Sequence, residues 1–240
     1  MGIQKGLKAV HAYKDELQRR REAAEAGKKN WFKMDDGESV DIWFLQELDE
    51  SAENYSEESG IGVFATEHVK PGKDNFNVKC VCSMDDEEAC FGCEQHRKDW
   101  KAGWKGKNKL YINVLVKRKN GDQEVAVLST SNGPKGTIAP LLIKYAENKN
   151  TVTDRWWNIT RSGLKEETVY QPFVGEPSDE VKPADYADQL FDLETCYRVV
   201  PYAEQEAFFF PAAPRGEDSE EGSDGDVKAS DSKTSASVDW

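Results

Sequence analysis

Four of the chain's five cysteines and two of its three histidines fall between His68 and His96, in the stretch HVKPGKDNFNVKCVCSMDDEEACFGCEQH. No other feature narrows the possible folds as much, because soft ligands this crowded must share an ion, bond to one another or be buried together. Cys90-Phe91-Gly92-Cys93 is a C-x2-C knuckle, a spacing at which two thiolates of one tight turn reach a tetrahedral ion at about 2.3 Å. Cys80 and Cys82 stand two apart on an expected strand, so both thiols point to one face and either can join the knuckle. His68 precedes them across a Pro-Gly turn. Two ligand sets stay open: His68, Cys90 and Cys93 with one of Cys80 or Cys82, or all four cysteines. His96 is a poorer ligand, since C-x2-C-x2-H is cramped, and Cys196, in the apolar stretch TCYRVV, reads as a core cysteine.

The chain has no run of about 18 apolar residues, as a membrane span requires, and its first residues lack the apolar core of a signal peptide. A soluble protein of a reducing cytoplasm is expected, where clustered cysteines hold a metal more often than a disulfide. The expectation is one structural Zn²⁺ and no enzyme activity. Zinc deaminases pair their knuckle with H-x-E, whereas Lys70 and Lys98 stand two residues after His68 and His96.

Charge is sorted along the chain. The net charge of −13 hides a basic N-terminus, where residues 1–33 carry nine Lys or Arg against four acids, and a basic middle, where residues 97–119 carry nine against Asp99 alone. Residues 215–240 carry eight acids against three bases. Ile3, Leu7, Val10, Tyr13 and Leu17 recur at helical spacing, so residues 1–29 read as a basic helical arm. From Val40 the period becomes that of strands: SVDIWFLQ, IGVFA, FNVKCVC, KLYINVLVK, QEVAVLS, WWNITRS and CYRVV, with Asn120-Gly121 as a hairpin turn and GTIAPLLIKYAENK as the one clear internal helix. Short strands with little helix between them predict a mainly β fold, a small barrel or sandwich, over residues 30–210 with a zinc subdomain at about 66–100. Residues 211–240, rich in Ser, Asp, Glu and Gly, read as a disordered acidic tail.

Directly after the knuckle, HRKDWKAGWKGKNKLYINVLVKRK interleaves Trp100, Trp104 and Tyr111 with Lys101, Lys105, Lys107 and Lys109. DRWWNITRSG repeats the mixture with Arg155, Trp156, Trp157 and Arg161. Single-stranded nucleic acid is held by such mixtures, bases stacking on rings while cations follow the phosphates. Burial of Trp43 and Trp157 in the core is an equally good reading of those two.

These residues resemble the zinc-containing single-stranded DNA-binding proteins of tailed bacteriophages, of the gene 32 protein type. The likeness rests on His68, Cys80 and the Cys90–Cys93 knuckle in the order of that family's metal site, on WFKMDDGESVDIWFLQ and WWNITRSG, and on the layout of basic arm, core and acidic tail. The resemblance implies an OB-fold core and cooperative coating of single strands in replication, recombination and repair, with neighbouring protomers joined through the arm. It also implies work in the cytoplasm of an infected bacterial host. The extra Cys82, the longer arm and a terminal Trp240 depart from the pattern. On its acidic leash Trp240 reads as a docking residue for replication and recombination partners. An RNA-binding or transcription-regulating zinc protein is the main alternative, and a zinc enzyme acting on nucleic acid a weaker one.

Overall fold

The computed structural model describes residues 30–211 except 73, 74, 76, 87, 88, 165 and 166. The expected arm over 1–29, and the tail beyond Pro211 with Trp240, lie outside the described residues. The fold is mainly β. Strands β1 (Ser39–Phe44), β2 (Val63–Val69), β3 (Lys79–Val81), β4 (Lys107–Lys117), β5 (Gln123–Ser131), β6 (Arg155–Ser162) and β7 (Val169–Pro177) form one antiparallel seven-stranded sheet. The order is β3-β2-β4-β1-β6-β7, with β5 on the other edge of β4. Helices α1 (Phe91–Lys98), α2 (Ile138–Lys149) and α3 (Tyr202–Phe209) complete it with short 3-10 turns. No helix among the described residues is long and apolar enough to cross a membrane.

β4 organises the sheet because it is long enough to have three partners. Its first half pairs with β2 and its second half with β1, while β5 runs along the opposite edge. The unbroken burial of Leu110 to Val116 follows from cover on both faces. Leu110, Ile112, Val114 and Val116 face the main core with Ile42, Phe44, Leu142, Trp157 and Ile159. Tyr111 and Leu115 face two smaller clusters roofed by residues 181–197. Between them Asn113, fully buried, ties that roof down: its Oδ1 accepts from Phe191 N at 3.0 Å and its Nδ2 donates to Phe191 O at 3.0 Å.

The Asn120-Gly121 hairpin forms as expected, Lys117 pairing with Gln123 and Gly121 taking a φ of 87° that a side chain rarely adopts. α2 ends at Asn150, whose left-handed φ of 59° lets its N–H reach Ala146 O at 2.7 Å. One expected strand is absent: in CYRVV, Cys196 closes a 3-10 turn (Leu193–Cys196), and the rest is irregular, Arg198 O accepting from Val81 N of β3 at 2.8 Å and Val200 packing beside Cys80. One strand was not expected, β7, whose Pro172 disguises it; the position is tolerable because β7 ends the strand order. Among the described residues β5 and β7 are not paired, and a cleft of about 260 Å³ is lined by parts of both.

Candidate metal centre

The 45–106 connection between β1 and β4 contains β2, β3 and α1, and brings the soft ligands together. His68 lies near the end of β2, facing Cys80 across the β2–β3 ladder. β3 runs to Val81, Cys82 N still donates to Thr66 O of β2 at 2.7 Å, and directly afterwards the chain turns into a 3-10 segment (Ser83–Asp86). Cys90 caps α1 and Cys93 sits in its first turn, Glu94 N donating to Cys90 O at 3.0 Å. The ligand atoms of His68, Cys82, Cys90 and Cys93 all lie within 4.8 Å of one another. Cys82 Sγ is 3.5 Å from Cys93 Sγ, which is 3.3 Å from His68 Nε2. Thiolates around a tetrahedral ion at about 2.3 Å would be ~3.8 Å apart, so the cluster can hold one metal ion after small adjustments.

Cys80 is outside this group. It packs with Phe91, Trp104, Val200 and Phe209 in an apolar cluster, and burial pushes its thiol up to about 12. Burial also pushes Cys82 up to about 12, helped by the neighbouring Cys93 and Cys90. Cys90 goes the other way: burial acts against ionisation, but the adjacent His68 ring and the backbone N–H groups of Cys93 and Ser83 prevail and hold it at about 6. Thiols so close cannot all ionise against one another, and a bound cation is what lets them do so. His68 is oriented for that role, since its Nδ1–H donates to Trp104 O at 2.6 Å and leaves Nε2 facing the sulfurs.

Among the described residues Trp100 is the most exposed large apolar side chain, 71% open to solvent, with Lys101 Nζ 5.3 Å from its ring centroid. Lys105 and Lys107 are exposed as well, and so are Arg97 and Lys98, which the motif reading did not single out. Among the described residues no carboxylate pairs with Arg97, Lys98, Lys101, Lys105 or Lys107.

The other expected contact residues are placed differently. Trp104, four residues from Trp100, is only 6% exposed, its ring edge-on to Phe209 at 4.9 Å. Tyr111 is fully buried, and its hydroxyl accepts from Lys79 Nζ at 3.1 Å. Lys109 is half-buried because Glu67, itself fully buried, needs cations: Lys79 at 2.8 Å and Lys109 at 3.3 Å supply them. Arg155 is buried, bonded to Asp154 and stacked over Tyr145 at 4.8 Å. Trp156 donates from Nε1 to Glu180 at 2.9 Å, and Arg161 donates to Met34 O at 2.7 Å. Of the ten residues expected in the groove, Trp104 and Tyr111 are buried in the interior, and Lys109, Arg155, Trp156 and Arg161 bond to protein groups.

Two residues of the site escaped the sequence reading. Gly92 lies against the His68 imidazole, a role that the Gly inside the knuckle could have signalled. Gln205, far downstream, bonds to the metal loop from a segment that carries no local signal. No family of proteins, no curated protein and no solved structure matches this chain.

Proposed function

We propose that the protein binds single-stranded DNA without regard to sequence, on a surface braced by one zinc ion. Zinc suits the donor set, three thiols and an imidazole that closes a tetrahedron with no open position. It would be held by His68, Cys82, Cys90 and Cys93, and would supply folding energy rather than reaction chemistry.

The observation that carries the reading is Trp100, an exposed ring on the metal-bearing connection, beside Lys101 and four further cations with no carboxylate partner among the described residues. Stacking on a ring and charge neutralisation by lysines are the two components of single-strand binding. The strand path agrees with this role. β4, β1, β6 and β7 with β5 beyond β4, and α2 between β5 and β6, follow the pairing order of an OB barrel opened at the β5–β7 seam. In such barrels the connection between the first two strands is one of the loops that bind oligonucleotides, and here that connection carries the metal cluster. Coating of single strands in phage replication, recombination and repair is the biological setting that the family resemblance offers.

The test is a titration of the metal-loaded protein with oligo-dT, followed by tryptophan fluorescence, with duplex DNA and an RNA of equal length as competitors. Quenching by oligo-dT that duplex does not compete away supports the proposal. Preference for RNA would move the protein to the RNA-binding alternative, and indifference to all three would overturn both.

A further inference from the structure

We infer that helix α3 is a working part of the metal centre, with Gln205 as its positioning residue. The inference rests on the reading of the four-residue cluster as a metal site and assigns to it a segment more than a hundred residues downstream. Gln205 is completely buried, and its amide is fully used. Oε1 accepts from Phe91 N at 2.9 Å, Nε2 donates to Ser83 Oγ at 3.0 Å, and Nε2 also donates to Val200 O at 2.9 Å. Phe91 follows Cys90 and Ser83 follows Cys82, so one side chain joins the two halves of the ligand set.

The rest of the helix reaches the remaining ligands. Tyr202 donates its hydroxyl to Glu94 at 2.7 Å, next to Cys93. Phe209 packs on Trp104 at 4.9 Å, and the Trp104 carbonyl is the group that orients His68. Phe209 also stacks on Phe91 at 5.9 Å with an interplanar angle of 23°. Each of the four ligands thus has a neighbour, in sequence or by hydrogen bond, that α3 touches. A helix of eight residues is too short to persist alone, so it needs the ordered loop as much as the loop needs it. Metal loading and docking of α3 are therefore one coupled equilibrium.

Two measurements test this. Zinc transfer from the full-length protein to a chromogenic chelator should run about 10- to 100-fold faster in Gln205→Ala, the affinity loss typical of an outer-shell partner of a metal site falling on the release step. The d–d spectrum of the Co²⁺-substituted variant should shift. Independently of any variant, amide exchange in residues 202–209 of the unaltered protein should accelerate when the metal is removed. Equal release rates and spectra in wild type and Gln205→Ala, or exchange in α3 indifferent to metal, would overturn the inference. Unaltered protein that takes up no zinc and no cobalt would instead bring down the metal reading on which it rests.

Discussion

Gly92 sits so close to the His68 ring that a Cβ built on it would overlap Cγ and lie 2.7 Å from Cδ2. The knuckle's glycine is thus required by the imidazole it faces rather than by its own backbone, since Gly92 is inside α1 and is not among the glycines of positive φ.

Gly92→Ala should consequently lower metal affinity at least tenfold, although alanine favours a helix by up to about 1 kcal/mol over glycine. Overpacking costs about 1 to 3 kcal/mol, and here it falls on a ligand. Competition with a chelator of known affinity measures it, and an unchanged affinity would show that His68 is free to move aside.

The two cysteines that share a face on paper should part in practice. Cys82→Ser should lose the metal, because its thiol is in the cluster. Cys80→Ser should retain it and lose about 1 to 3 kcal/mol of stability, the cost of a hydroxyl placed among Phe91, Trp104, Val200 and Phe209. Elemental analysis and denaturant unfolding of both variants decide the assignment; metal loss in Cys80→Ser alone would reverse it.

Trp100 and Trp104 should likewise fail in different assays. Trp100→Ala should weaken binding to oligo-dT by about 1 to 3 kcal/mol and leave the melting curve nearly unmoved. Trp104→Ala should destabilise the fold by about 3 to 5 kcal/mol, as the loss of a buried indole does. A Trp104→Ala protein of unaltered stability would mean that the aromatic cluster with Phe91 and Phe209 contributes little.

Lysines should sort the same way. Lys105→Ala and Lys107→Ala should each reduce the salt slope of single-strand binding by roughly 0.7, since both are exposed and, among the described residues, without a carboxylate. Lys109→Ala should instead cost stability, because it leaves buried Glu67 with Lys79 as its ion-pair partner. Affinity and urea unfolding measured in parallel separate the two outcomes.

What could be read from the sequence was whatever depends on neighbours along the chain. The alternation in SVDIWF, the Asn120-Gly121 turn and the apolar face of IAPLLIKYAENK are local patterns, and β1, the β4–β5 hairpin and α2 appear where they were expected. The knuckle is local too, and three of the four clustered ligands were common to every metal set built on His68. The fourth depended on which of two neighbouring thiols meets the knuckle and which meets the apolar cluster of Phe91 and Phe209, which the spacing of Cys80 and Cys82 does not encode. Trp100 and Trp104 show the limit most clearly: both sit among charged and small residues, and only packing with Phe91 and with Phe209 of α3 makes one of them core. CYRVV has a strand's composition but runs from a 3-10 turn into irregular chain, and β7 carries Pro172, which only its place at the end of the strand order excuses.

The most direct test of the account is the affinity of one protein preparation for oligo-dT before and after removal of its metal. A metal-braced surface around Trp100 predicts about one zinc per chain, tight binding that duplex does not displace, and a large loss of affinity on chelation that added zinc restores. Equal single-strand affinity with and without metal, or no preference for single strands over duplex, would contradict it.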